Sequence, residues 1–256
     1  RLRSTRLGVV GGASSWLVAS EPSAEAVRRR WGPELVTLDP TPMIELTRTP
    51  VVPTGPLAER FTAVADPVVV TDRAVHAAAG VQTALADVIE REEVDAVTVR
   101  CFDLLDDPGT SGCLALASLN DDGIVAGCEG DVPSALAMLW VRHLLDATSW
   151  MANPAQVDVA ANRLVLAHCT VAPSMVESFS LDTHFESGAG VGIHGRFREQ
   201  PVTLIRIGGS DLDRCWIAEG DIAATGDDDD LCRTQVTVAL SDGAVIDLLE
   251  RPLGNH

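Results

Sequence analysis

The sequence predicts an α/β protein: a Rossmann-like parallel α/β region followed by an antiparallel, barrel-like β region. Three observations carry this. Early in the chain, short apolar runs alternate with amphipathic stretches in the order strand, helix, strand. Residues 112–146 continue that texture with two further apolar helices around a short buried run. After Asn153-Pro154 the helical periods stop, and five or six short apolar runs separated by Gly, Asp and Pro fill about 90 residues. The expected division is therefore an α/β domain over 1–153 and a β-rich domain over 154–256.

The elements follow in order. Arg6 to Val10 reads as a buried strand running into the turn Gly11-Gly12-Ala13-Ser14-Ser15. Backbone N–H groups of such a turn can cradle an anion, although a tight strand-to-loop turn explains it as well. Pro22 to Gly32 carries helix start and stop signals, and Leu35 to Leu38 is a second strand, so a parallel pair is expected. Pro40 to Pro56 is proline-rich and reads as a connection containing at most a short helical turn. Ala74 to Glu93 is a helix with Val81, Leu85, Val88 and Ile89 on one face. Asp95 to Phe102 is a buried strand that delivers Asp103 at its carboxyl end, where α/β sheets place ligands. Gly112 to Asn120 is a buried helix and Ile124 to Ala126 a short strand. Pro133 to about Asp146 is a helix with Leu136, Leu139 and Trp140 inward and His143 packed or at the surface. The later strands are read at Leu164–Val171, Asp182–Phe185, Gly190–Gly195, Val202–Ile207, Cys215–Ala218 and Thr234–Leu240.

Composition narrows the functional classes. The 256 residues carry a formal net charge of −18, with no Lys and no Tyr. That balance argues against a phosphate-backbone binder, which needs clustered cations. Genomic base composition explains the preference for Arg, and salt adaptation is the alternative. Asp227 to Asp230 reads as a solvated loop tip, lacking the spacing of a calcium loop. No apolar run approaches the length of a membrane helix, and no secretory leader is visible, so a cytoplasmic protein is expected. The six cysteines form no CxxC pair and are expected to be reduced, mostly buried and inert. The absence of an initiator Met suggests that the chain starts inside a longer protein.

One stretch holds the sharpest chemical signal. Gly127-Cys128-Glu129-Gly130-Asp131 joins a buried strand to a helix start, so two carboxylates stand at a strand–helix junction. A buried carboxylate needs a cation, and a metal is one candidate. Other groups in apolar or glycine-rich surroundings are Asp103, His168, Asp182, His184, Glu186 and His256. If Asp182 to Glu186 is a strand, Asp182, His184 and Glu186 share one face, which faces either solvent or a ligand. On its context alone His168 is a satisfied core histidine. Oxygen-rich sites with one or two imidazoles suit Mn²⁺ or Mg²⁺, and also Zn²⁺. Such sites polarise a carbonyl while a carboxylate moves a proton between carbons.

The segments GCLALASLNDDGIVAGCEGDVPSALAML, SWMANP, LVLAHCTV, LDTHFESGAGVGIHG and the closing PLGNH together resemble the L-fucose isomerase and L-arabinose isomerase superfamily, and most closely its fucose-isomerase-like branch. The resemblance implies an Mn²⁺-dependent aldose–ketose isomerase acting through an enediol. It implies α/β domains followed by a β-barrel domain, and a homo-oligomer whose subunits complete each other's sites. It gives Glu129 the family's metal-binding, acid/base glutamate, and makes His168 and His256 ligands. Asn153 stands where a second metal-binding carboxylate is expected; its amide oxygen still suits a hard cation but carries no proton. Asp131 or Glu186 is then expected to assist proton transfer, with Asp103, His184 and Glu186 near the substrate. The resemblance starts at the family's second α/β domain and stops at His256, where the family continues. A fucose-isomerase-like protein that binds sugar without turnover, favoured by Asn153, and a metal-enediol lyase or transferase are the alternatives.

Overall fold

The computed structural model describes residues 1–49, 54–250 and 256. The first part is a four-stranded parallel sheet in the order β2-β1-β3-β4, made of β1 (Arg6–Val10), β2 (Glu34–Leu38), β3 (Ala96–Val99) and β4 (Ala126–Gly127). Leu7, Val10 and all of β3 are buried, as expected of strands covered on both faces. Helix α1 (Ala24–Arg30) links β1 to β2 and is capped by the Ser23 side chain, which accepts from the Ala26 N–H.

The proline-rich stretch departs from expectation. Thr41–Arg48 forms an eight-residue helix, α2, and Gly55–Thr62 another, α3. Proline near the first helical position suits a helix start, where the missing N–H would be unpaired anyway, so these prolines open helices instead of preventing them. Residues 50–53 lie outside the described chain. The long helix α4 (Asp72–Arg91) is capped by Thr71 and buries Val81, Leu85 and Val88. A single turn, α5 (Asp103–Asp106), follows β3. Helix α6 (Cys113–Asp121) is buried from Cys113 to Asn120, so it runs through the interior. Helix α7 (Val132–Leu145) starts at Asp131.

The second part is a five-stranded antiparallel sheet in the order β5-β6-β11-β10-β9, curled into a half-barrel. Its strands are β5 (Asn153–Asp158), β6 (Arg163–His168), β9 (Pro201–Gly208), β10 (Arg214–Thr225) and β11 (Thr234–Asp242). A separate hairpin pairs β7 (Ser178–Asp182) with β8 (Gly192–Arg196), and α8 (Ile246–Glu250) follows the sheet. Strand β5 was not expected. Pro154 obscures it in sequence, yet an edge strand tolerates proline because its N–H need not join the ladder. Thr183 to Glu186, expected as strand, is instead irregular chain and turn. There the His184 N–H donates to Ala189 O and the Gly188 N–H to His184 O, closing a tight loop. The alternating face expected of Asp182, His184 and Glu186 therefore does not exist.

Two apolar clusters support the fold. One joins the parallel sheet to α4, α6 and α7 through Leu7, Val97, Leu85, Leu116 and Leu136. The other sets Ala78, Leu114 and Ala117 of α4 and α6 against Leu181, Ile193 and Val238. Helices α4 and α6 thus contribute to both, and hold the β-rich part beside the carboxyl ends of the parallel strands. Residues of α7 and of the antiparallel sheet line an apolar groove of about 520 Å³. Trp140 lines it and is only half-buried, stacked edge-on against Trp31, so it is less inward than expected.

The loops after β1 and β4 approach each other closely. Gly130 has φ +70°, and a Cβ there would lie 2.0 Å from the Gly12 carbonyl oxygen. Gly109 also has a positive φ of +82° but has open space around it. Gly109→Ala is expected to cost only the left-handed conformational penalty, about 1 kcal/mol, whereas Gly130→Ala adds a backbone collision and is expected to cost about 3 kcal/mol or more. Urea unfolding of the two variants measures the difference; equal losses contradict the packing of these loops.

Candidate metal centre

The candidate centre draws Glu129 from the turn after β4, His168 from the end of β6 and His256 from the last position of the chain. The turn after β4 holds Glu129 in the left-handed region, at φ 58°, an arrangement a non-glycine residue keeps only when its surroundings enforce it. Three hydrogen bonds fix this turn: the Ser14 N–H donates to Glu129 O at 2.8 Å, the Gly130 N–H to Val99 O at 3.0 Å, and the Asp131 N–H to Cys128 O at 3.1 Å. The Gly11–Ser15 turn is used here for packing. Its Ala13 N–H already donates to Glu21 Oε1, so the anion-cradle reading is not supported.

Glu129 is buried, 8% exposed. Its Oε2 accepts from Trp16 Nε1–H at 2.8 Å and its Oε1 lies 3.2 Å from His256 Nε2. His256 Nδ1–H donates to Asp131 Oδ2 at 2.7 Å, while Asp131 Oδ1 caps α7 by accepting from the Ser134 N–H. The second imidazole is His168, at the end of β6, with its ring centroid 5.4 Å from that of His256. His168 Nδ1 pairs with Thr170 Oγ1 at 2.9 Å, which leaves Nε2 as the nitrogen open to a ligand. Glu129, His168 and His256 offer one ligand atom each, all within 4.8 Å of one another. Residues 129, 168 and 256 thus meet from separate parts of the fold. Of the closing PLGNH motif, residues 252–255 lie outside the described chain and His256 alone is placed.

The electrostatics are mutually compensating. Burial alone would raise the Glu129 carboxyl, but hydrogen bonding and charge from His256, helped by Trp16, hold it below its ordinary value. Burial likewise pulls His256 down, and Asp131 and Glu129 overcome it, raising the imidazole to about 9. His168 is pushed down to about 4, first by burial and then by the charge on His256. One imidazolium is therefore shared between two carboxylates, next to a neutral imidazole whose open nitrogen can ligate.

A cleft of about 130 Å³ opens beside these groups. Glu129, Asn153, His168, His184 and Glu186 line it together with Phe102 and Phe185. Asn153 sits on β5 opposite Ala167, one residue before His168. His184 is buried, edge-on to Phe102, with Nδ1 3.2 Å from Ser187 Oγ. Glu186 is exposed at the rim. Asp103 is not among the lining residues; it opens α5 and pairs with Arg100 at 3.1 Å. Asp131 also stands behind the wall, 1% exposed and occupied by His256 and the helix cap. Asp182 points to Arg233. Sequence reasoning missed Trp16 and Phe102. The rule that selected Asp103 at the end of β3 applies equally to the end of β1, where Trp16 lies. It also missed that Cys101, Cys113, Cys128, Cys169 and Cys232 all line the cleft. Four of the six thiols are buried as expected; Cys215 is exposed and Cys232 half-buried. The aspartates at 227–230 are exposed, as expected. No helix among the described residues is long and apolar enough to cross a membrane.

No protein-family profile matches the chain. Comparison with curated proteins finds sulfoquinovose isomerases. The one from Priestia aryabhattai is 30% identical over 108 residues, 41% of this chain and 23% of that protein. The one from Clostridium sp. (strain MSTE9) is 33% identical over 110 residues, 42% of this chain and 23% of that protein. The one from Alkalicoccus urumqiensis is 26% identical over 149 residues, 54% and 32% of the two chains. The matches thus cover about a third or less of each relative's length.

The two histidines titrate in opposite directions, which shapes stability in metal-free protein. His256 is raised to about 9 from 6.5, so its contribution is complete below pH 6.5 and fades as pH rises toward 9. His168 is lowered to about 4, so folding loses stability as pH falls from 6.5 to 4, where the unfolded chain alone takes up the proton. Each limb is expected to be worth on the order of 2–3 kcal/mol. Denaturant unfolding against pH with a chelator present checks this: His256→Gln flattens the alkaline limb and His168→Gln the acid limb. Unchanged limbs in both variants contradict the arrangement.

Proposed function

We propose that the chain forms the catalytic part of a divalent-cation-dependent aldose–ketose isomerase acting on a sugar or sugar derivative through an enediol. The observation that carries this is the convergence of Glu129, His168 and His256, buried and within 4.8 Å, beside a cleft that Glu129 and His168 line, with His256 reaching the cluster from the side of the apolar groove. Their oxygen and nitrogen donors suit Mn²⁺ first, and Mg²⁺ or another divalent ion second. The similarity to sulfoquinovose isomerases supports an isomerase of sugar derivatives and makes sulfoquinovose the first substrate to try.

Glu129 Oε1, His168 Nε2 and His256 Nε2 would hold the cation, and the Asn153 amide oxygen lies on the same cleft wall. When bound, such an ion polarises a sugar carbonyl and the adjacent hydroxyl. Asp131 holds Nδ1–H of His256 and so aims Nε2 into the site, the usual orienting role of a carboxylate behind a ligating imidazole. Asp131 is enclosed and has both oxygens engaged, so it does not carry protons to substrate in this proposal. Glu186, on the rim, is the free carboxylate that reaches the cleft, and is the proton carrier we assign in place of the carboxylate that Asn153 replaces. Phe102 and Phe185 supply apolar walls against which a sugar's C–H faces pack.

Asn153 supports a second reading, a protein that binds metal and sugar without turnover, since an amide moves no proton. Titration with Mn²⁺ followed by a turnover screen of sulfoquinovose and neutral aldoses separates the two. Glu129→Gln is expected to weaken Mn²⁺ binding at least about 10-fold and to abolish turnover. Glu186→Gln is expected to keep the metal and lower kcat by about 100-fold or more. Metal uptake with every sugar inert favours the binding protein. Full metal affinity in Glu129→Gln overturns the centre.

A further inference from the structure

We infer that Trp16 is the positioning residue for Glu129, and that its exposed indole face forms the sugar-facing wall of the same site. This rests on the cation-and-sugar reading above. Trp16 lies in the loop after β1, in neither helix nor strand, and is 52% exposed. It is nevertheless held on two sides. Its Nε1–H donates to Glu129 Oε2 at 2.8 Å, and its ring stands edge-on to Phe102, with centroids 4.7 Å apart at 81°. Phe102 in turn meets His184 edge-on, 5.5 Å between centroids. Trp16 is not itself among the residues lining the 130 Å³ cleft, but Phe102 and His184 are, so ring contacts connect Trp16 to the cleft wall.

The loop itself is tied to the Glu129 turn by main chain. The Ser14 N–H donates to Glu129 O, the Leu17 N–H closes back onto Ser14 O, and Gly12 packs against Gly130. Trp16 and Glu129 are thus joined through both main chain and side chain. A glutamate with a free terminal torsion presents either oxygen to a cation; the indole donor occupies Oε2 and leaves Oε1 toward His256. An indole has only this one polar atom, so the remaining exposed face is apolar and suits the C–H face of a sugar.

Calorimetric titration of the full chain with Mn²⁺, for wild type, Trp16→Phe and Trp16→Ala, tests the positioning role. Trp16→Phe keeps a ring and removes the N–H; it is expected to bind Mn²⁺ about 10-fold more weakly or worse, while still unfolding in one cooperative transition in the absence of metal. Tryptophan emission with Mn²⁺ and a panel of sulfoquinovose, D-glucose, L-fucose and L-arabinose tests the wall. At least one sugar is expected to shift wild-type emission, a shift absent from Trp16→Phe, while sugar affinity is retained in Trp16→Phe and lost in Trp16→Ala. Wild-type Mn²⁺ affinity in Trp16→Phe, although wild type binds the ion, overturns the positioning role alone. Emission that no sugar shifts, or that shifts equally in Trp16→Phe, overturns the wall. Wild-type protein that takes up no Mn²⁺ overturns the underlying reading together with the inference.

Discussion

A carboxylate buried in a left-handed turn is the constraint on which the rest of this structure depends. Glu129 combines two unfavourable features, a conformation that costs of order 1–3 kcal/mol and an ionised group removed from water. Both persist because the surroundings enforce them. The backbone of the turn is held by Ser14 in the loop after β1 and by Val99 at the end of β3, and the close approach of Gly12 needs a glycine at 130. The charge is met by the His256 imidazolium, which Asp131 secures from behind. A residue placed at such cost is matched to a positive partner, here the His256 imidazolium, and the donor set of Glu129, His168 and His256 is one that could also hold a divalent ion.

The same geometry explains why metal-free and metal-bound forms would compete for the same atoms. His256 Nε2 faces Glu129 Oε1, so the proton that stabilises the cluster occupies the position where a cation would lie. A cation held there would require Nε2 to be free of that proton, while Asp131 holds Nδ1 and would fix the tautomer. His168 is already neutral and needs no proton removed. Arg206, buried nearby, donates to the His256 carbonyl oxygen and feels the charge of Asp131, which adds a second cation behind the site.

Much of the fold could be read from the chain, because the relevant periods are local. The parallel pairing of β1 and β2 and the amphipathic α4 follow from alternation and helical spacing. The two helices opened by prolines at 42 and 56 and the edge strand at Asn153 were hidden, since the same residues that start helices and border sheets also mark loops. The site was legible in a different way. Glu129 stood out at a strand–helix junction, and Asp131 as a helix start. His168 looked like core on its own, and is buried as a core residue would be. What no local pattern reveals is which loops meet. Trp16 and Glu129 are 113 positions apart and His256 is 125 from Asp131, so their contacts come from tertiary packing that no local pattern encodes. The misreading of Asp182 to Glu186 as a strand has the same origin: alternation fitted, but glycine-rich loop closure at 188–190 turned the chain instead.

The central claim is that Glu129, His168 and His256 bind one cation. Crystals grown with Mn²⁺ and measured near the manganese absorption edge test it most directly. The account predicts one strong anomalous peak bounded by Glu129 Oε1, His168 Nε2 and His256 Nε2, at ligand distances of about 2.0–2.3 Å. Density confined to the exposed aspartates at 227–230, or no peak at all with the ion in excess, contradicts it.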